Sequence, residues 1–267
     1  MTIRVFVGCA SGGEDAESCA VLEYTLRCHA SRPVELTWMR VGEPGIWSGW
    51  NTAGWATPFS GLRWAIPAAC GFQGKAIYLD SDMIVRADIA ALWDQPIPPG
   101  KLALVRGGAG KLRTCVMLMD CAAFAGWPFP LAVLKRTPNP QGAVTRWLKS
   151  HRDRLGAFDG LWNCIDLKGA TSVDDPALKI IHYSQMAHQP HLKHATRRLA
   201  AQGRAHWYDG DTAPHWRPEL DHLFDQLLTE AEAAGFHPAL YDWGRTDGYE
   251  KRSYAGRPAK MARSTKC

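Results

Sequence analysis

The 267-residue sequence predicts an α/β fold in which helices pack on a sheet, and three features point to it. Short apolar runs at residues 3–8, 34–40 and 76–79 read as strands. Segments of helical periodicity lie between and after them. A hydrophobic share of 46% against 21% charged residues can bury a sizeable core, which excludes disorder across the whole chain.

The first run ends in Gly8-Cys9-Ala10-Ser11-Gly12-Gly13, and Glu14 and Asp15 follow where a helix would begin. It lacks the apolar stretch and cleavage site of a signal peptide, and no run is long enough to span a bilayer. Cys19, Leu22 and Leu26 share one face of the following helix, which ends in residues 29–33 before the second strand. Residues 41–59 are rich in Gly, Trp and Pro and read as an irregular loop at the carboxyl edge of the sheet, where ligand contacts gather. Trp47, Trp50 and Trp55 in that loop can stack on sugars or pack the loop.

Phe59, Leu62, Ile66 and Ala69 then recur at helical spacing, with Pro67 as a kink. After the strand at 76–79, residues 87–93 read as a short helical turn. Further strands are expected at 102–106, 114–120 and 178–183, and a helix at 142–151. The stripe Leu220, Leu223, Phe224, Leu227, Leu228 and Ala231 marks a last helix closed by Gly235.

The formal charge of +5 is concentrated at the carboxyl end. Residues 245–267 hold seven basic and two acidic side chains, which is also +5, so residues 1–244 are formally neutral. This divides the chain into one domain over 1–244 and a basic tail over 245–267. A nucleic-acid groove across the fold is not indicated, whereas the tail can touch an anionic membrane surface or remain solvated. The eight cysteines show no zinc-ligand spacing and mostly sit in apolar segments, as in a reduced, cytoplasmic protein.

Asp80-Ser81-Asp82 is the strongest chemical signal. Side chains two apart on an extended segment point the same way, so both carboxylates can face one site. Apolar residues lie immediately before and after them. Two anions there repel each other and lose hydration, and a divalent cation offsets both costs. A solvated turn or a helix-capping aspartate are the other uses of such a pair.

Three segments resemble the core of the family 8 glycosyltransferases: Thr57-Pro-Phe-Ser-Gly-Leu-Arg-Trp64, Cys70-Gly-Phe-Gln-Gly-Lys-Ala-Ile-Tyr-Leu-Asp-Ser-Asp-Met83 and Arg86-Ala-Asp-Ile-Ala-Ala-Leu-Trp93. The resemblance covers most of residues 3–190. It implies a GT-A fold, a single Rossmann-like mixed sheet flanked by helices with further helices at the carboxyl end. It also implies Mn2+ (or Mg2+) bound by Asp80 and Asp82 together with the donor diphosphate.

In that family a histidine completes the metal site within His-x-x-Gly-x-x-Lys-Pro-Trp. Leu178-Lys-Ile-Ile-His-Tyr-Ser-Gln-Met-Ala-His-Gln-Pro190 looks like a divergent version, with His182 matching the ligand. A core histidine hydrogen-bonded at the strand end is the other reading of His182. Gln185 stands where glycine is usual and His188 where lysine is usual, Pro190 is one residue late, and His191 replaces the tryptophan. His188, or Lys193 nearby, is then the candidate diphosphate cation.

By the same resemblance Arg63 contacts the donor and takes part in catalysis. Asp159, in Asp159-Gly-Leu-Trp-Asn163, is a catalytic-site candidate for sugar hydroxyls. Thr114 lines the sugar pocket, and Gly8 and Ser81 lie beside the donor. The function implied is transfer of a hexose from a nucleotide sugar, a UDP-sugar by family habit, to a hydroxyl of a glycan, lipid or other acceptor, with retention. Nucleotide-sugar hydrolysis, another phosphoesterase activity, and sugar-nucleotide binding without catalysis are the rivals.

Overall fold

The computed structural model describes residues 2–107, 112–244 and Ala255. In chain order its elements are β1 (Ile3–Cys9), α1 (Ala16–His29), β2 (Val34–Arg40), α2 (Ile66–Ala69), β3 (Lys75–Asp80), β4 (Met83–Val85), α3 (Ile89–Trp93), β5 (Ala103–Arg106) and β6 (Val116–Asp120). There follow α4 (Leu131–Arg136), α5 (Pro140–Ser150), β7 (Leu155–Phe158), β8 (Cys164–Ile165), β9 (Ile180–His182), α6 (His191–Ala201) and α7 (Pro218–Ala233).

Six strands form a mixed sheet in the order β2-β1-β3-β6-β5-β7. β1 runs parallel to β2 and β3, β6 lies antiparallel between β3 and β5, and β7 runs parallel to β5 at the edge. Alternation along β3 explains why it reads as one apolar run. Ala76 and Tyr78 join a core with Phe6, Met117 and Met119, while Ile77 and Leu79 join a second core with Val5, Val7, Leu22 and Leu118. Both faces are therefore covered. Each fully buried Val, Leu, Ile, Phe or Met among them contributes about 1.5–3 kcal/mol.

A second sheet, β4-β9-β8, packs beside the first. β4 is antiparallel to β9, which puts Met83 opposite His182, and β8 is parallel to β9. Only Ser81 and Asp82 separate the end of β3 from β4, so the chain steps from one sheet to the other across these two residues. The step is pinned from three sides: Asp80 N donates to Cys115 O at 3.1 Å, Ser18 Oγ to Ser81 O at 2.7 Å, and Tyr183 N to Asp82 O at 3.1 Å. Helices α1 and α7 cover the small sheet through Cys19, Ile84, Ile181, Leu220 and Phe224.

Two expectations change. The helix expected from Phe59 to Ala69 is a 3-10 turn, Leu62–Ala65, running into the four-residue α2, and Pro67 occupies the first turn of α2, where it needs no hydrogen bond, instead of kinking a longer helix. Helix α6 occupies residues that the sequence assigned to no element. The basic tail lies outside the described residues apart from Ala255. Among the described residues no helix is long and apolar enough to cross a membrane.

Candidate active site

A cavity of about 320 Å3 opens where the two sheets meet. Asp80, Ser81 and Asp82 form one wall, with Thr57, Ser60 and Arg63 from the turn before β3 and Arg113, Thr114 and Cys115 from the approach to β6. Gln141, Val144, Thr145 and Leu148 of α5 face them, and Asp15, Gln189, His191 and Trp207 close the other side. Trp55 completes the lining. Its ring lies over Gly61, where a Cβ would stand 2.5 Å from the indole, so only glycine admits the ring so close.

Asp80 is already neutralised. Its Oδ1 accepts Arg63 Nη2 at 3.0 Å and the Tyr78 hydroxyl, and the Arg63 guanidinium lies over the Tyr78 ring at 4.4 Å. Arg63 spends its other donors on Ser60 O (2.8 Å) and Thr114 O (2.5 Å). It lines the pocket, yet its geometry positions Asp80 and the 114 backbone and leaves no two-pronged face for a phosphate.

Asp82 is the unsatisfied member. Gln189 Nε2 donates to its Oδ2 at 2.5 Å, while Oδ1 is buried without a hydrogen-bond partner and faces His182 Nε2 at 3.5 Å. His182 Nδ1 lies 2.8 Å from Asn163 Oδ1, an acceptor, so the ring proton sits on Nδ1 and Nε2 presents a lone pair. Two lone pairs then face each other in a buried place. Burial first, and the Asp80 charge second, push the Asp82 carboxyl well above its ordinary range. Burial lowers His182 to about 4, so its imidazole is neutral near pH 7.

His182 can also share one ion with Asp80 and Cys115, since one ligand atom from each of the three falls within 4.8 Å of the others. Orphaned Oδ1, neutral imidazole and a second carboxylate fit a divalent cation. Burial and the Asp80 charge push the Cys115 thiol up, so it stays protonated unless a metal displaces the proton.

Asp80, Asp82, His182, Ser81, Thr114 and Arg63 thus come together, and the other expected residues do not. Asp159 caps the 3-10 turn Gly160–Asn163 and pairs with Lys179 at 2.7 Å, with about half of its side chain in solvent and outside the pocket lining. Lys193 lies on α6 and pairs with Asp225 of α7 at 2.5 Å, also outside the lining. The His188 ring is turned to Pro214 O (2.9 Å) and packs on Trp216. Gln189, directly before Pro190, takes the place facing Asp82. Gly8 pairs with Asp80 across the sheet, a Cβ there would meet the Tyr78 hydroxyl and Phe59, and it is outside the cavity lining. Of the loop tryptophans, Trp50 packs in the core and Trp55 lines the site.

Sequence reasoning missed Asp15, His191, His206 and Trp207. Trp207 Nε1 donates to both Asp15 oxygens at 3.1 Å, and His206 Nε2 approaches Oδ1 at 3.1 Å. His206 Nδ1 accepts from Tyr208 N, which leaves the ring proton on Nε2 for Asp15. His191 Nε2 stands 3.4 Å from Asp15 without a hydrogen-bond partner. Burial alone would raise the Asp15 carboxyl; contacts with His191 and His206 outweigh it and hold the group well below the usual carboxylate range. The loop carrying Asp15 is tied down by Arg198 Nη2 to Gly13 O (2.8 Å) and by Arg204 to Gly12 O and Asp242.

No protein-family model matches the chain. A 61-residue stretch, 23% of this chain and 16% of the relative, is 36% identical to glycosyltransferase 8 domain-containing protein 1 of Rattus norvegicus. The fold is similar to that of the glycosyltransferase GlyE of Streptococcus pneumoniae TIGR4 (TM-score 0.56, 14% identity, 88% of this chain and 64% of GlyE). It is also similar to the bifunctional glycosyltransferase WbbM (0.55, 13%, 87% and 51%) and to the galactosyltransferase LgtC (0.52, 13%, 89% and 100%). The chain thus spans less than two-thirds of GlyE and about half of WbbM. The shared fold is that of the GT-A glycosyltransferases, in agreement with the sequence resemblance to family 8.

Proposed function

We propose that this chain, a GT-A glycosyltransferase of the family 8 type, transfers a hexose from a nucleotide sugar, a UDP-sugar by family habit, to an acceptor hydroxyl with the help of Mn2+ or Mg2+. The observation that carries the reading is the unshielded approach of Asp82 Oδ1 to His182 Nε2 at 3.5 Å, beside Asp80. Asp80, Asp82 and His182 would hold the ion, with Cys115 at its margin. When bound, such an ion acts as a Lewis acid on the departing diphosphate.

The chain's own groups do the remaining work. Arg63 and Tyr78 fix the Asp80 carboxylate, Gln189 holds that of Asp82 and the Tyr183 amide holds the Asp82 main-chain carbonyl, so the carboxylates are oriented before the donor arrives. Asn163 holds the His182 tautomer. The wall of α5 and Trp55 bounds the cavity opposite the carboxylates and offers apolar and hydroxyl contacts to sugar. Among the described carboxylates of the lining, Asp80 and Asp82 are committed to the cation and Asp15 to N–H donors. None is left as a covalent nucleophile, so retention, which the family resemblance implies, would proceed by front-face attack of the acceptor. The free thiols of the described cysteines suit a reducing, cytoplasmic setting.

The test is incubation of the purified protein with Mn2+ and a panel of nucleotide sugars, with and without acceptors, scored by nucleotide release. Release that requires an acceptor supports transfer. Release to water alone would make the protein a hydrolase, and donor binding without release would make it a binding module.

A further inference from the structure

We propose that Arg113 is the cation that meets the donor's diphosphate, in place of the lysine that the histidine motif of this chain lacks; this rests on the nucleotide-sugar reading above. The side chains of the motif's own segment are otherwise engaged, His191 among them, which faces Asp15 at 3.4 Å. Gln189 is neutral and spends its amide on Asp82 and on Tyr183 O. His188 faces Pro214, and Lys193 is neutralised by Asp225.

Within the described lining the only arginines or lysines are Arg63 and Arg113. Arg63 is consumed by Asp80, Ser60 and Thr114. Arg113 lines the same wall, half-buried, with no hydrogen bond or ion pair to any described residue.

Its place follows from the backbone. Thr114 O is held by Arg63 and Cys115 O by the Asp80 amide, so the segment leading into β6 is clamped against the carboxylates. The residue before it therefore opens on the same end of the cavity. A nucleoside diphosphate carries more negative charge than one divalent ion already held by carboxylates can offset, so a protein cation at that end of the cavity favours its binding. A guanidinium offers paired N–H donors that match two phosphate oxygens, and an unpaired one needs no existing contact to break before it binds.

Wild-type protein, Arg113→Ala and Arg113→Lys are titrated by calorimetry with UDP and GDP in the presence of Mn2+, and with uridine and guanosine as diphosphate-free probes. Circular dichroism melts accompany each titration. We expect Arg113→Ala to bind the nucleoside diphosphate about 10- to 100-fold more weakly. Arg113→Lys should recover part of the loss, with nucleoside binding and the melting temperature unchanged. Diphosphate affinity within twofold of wild type in Arg113→Ala overturns the assignment while leaving the function intact. A wild-type protein that binds neither diphosphate overturns the underlying reading and the assignment with it, and equal losses for nucleoside and diphosphate overturn the phosphate role alone.

Discussion

A carboxylate withdrawn from water can be answered by a cation, by N–H donors or by a proton, and the three aspartates of the cavity differ in which they have. Asp80 has Arg63, Asp15 has the indole and imidazole N–H groups, and Asp82 has one amide and an orphaned oxygen. Asp82 is therefore the residue that gains most from a metal. Mn2+ should raise the melting temperature of the wild-type protein, as any ligand selective for the native state does. Asp82→Ala should abolish that increment and Mn2+-dependent donor binding, while its own melting temperature stays near that of the metal-free wild type or rises. An unchanged Mn2+ increment in the variant would place the cation elsewhere.

Asp15 predicts the opposite. Its alanine variant leaves two buried N–H donors without their acceptor, a loss of about 3 kcal/mol at neutral pH by denaturant titration. The folded-state pKa of Asp15 lies below its unfolded value of about 4. Its stabilising contribution is thus complete above pH ~4 and is lost as the pH falls through the depressed folded value. The variant should accordingly show a flatter acid limb of stability against pH than the wild type.

At the scale of elements, legibility followed length and burial. β1, β2, β3 and α7 were readable because each is long enough for its periodicity to show. β4, β8 and β9 have three, two and three residues, too few for any pattern, although β9 fell within an expected strand. Helix α6, His191-Leu-Lys-His-Ala-Thr-Arg-Arg-Leu-Ala-Ala201, carries Leu192, Ala195 and Leu199 at helical spacing and buries them, a stripe that was legible in the sequence but was not assigned to a helix. As a helix it turns Lys193 toward α7, which takes the ammonium out of the site. Lys193→Ala should leave donor affinity unchanged and cost less than about 1 kcal/mol, because its ion pair is exposed. Gly61→Ala should push the Trp55 ring from its seat and cost about 1–3 kcal/mol by overpacking, with a rise in donor KM.

For the whole molecule, the α/β class could be read from alternating runs, but the order of strands could not, since an antiparallel β6 between β3 and β5 leaves no local trace. The same limit divided the site. Asp80 and Asp82 announced themselves because acidic residues interrupt an apolar strand, and His182 because of its motif. Asp15 and Arg113 have ordinary local surroundings and became legible only when the fold brought distant segments to one cavity. The basic segment 245–267 separates from this machinery in charge, so its removal should abolish any sedimentation with anionic vesicles at low salt and leave donor binding as it was.

The joining of distant segments also bears on the order of events as the chain folds. Asp15 acquires its donors from residues 191 and 192 positions further along, and Arg204 crosses 192 positions to reach Gly12. Closing loops of that size is slow and comes after local structure. Strands at the amino end can pair while the floor of the cavity is still missing, so nucleotide affinity should emerge in the final kinetic phase of refolding, after most amides of β1 and β3 are already protected from hydrogen exchange.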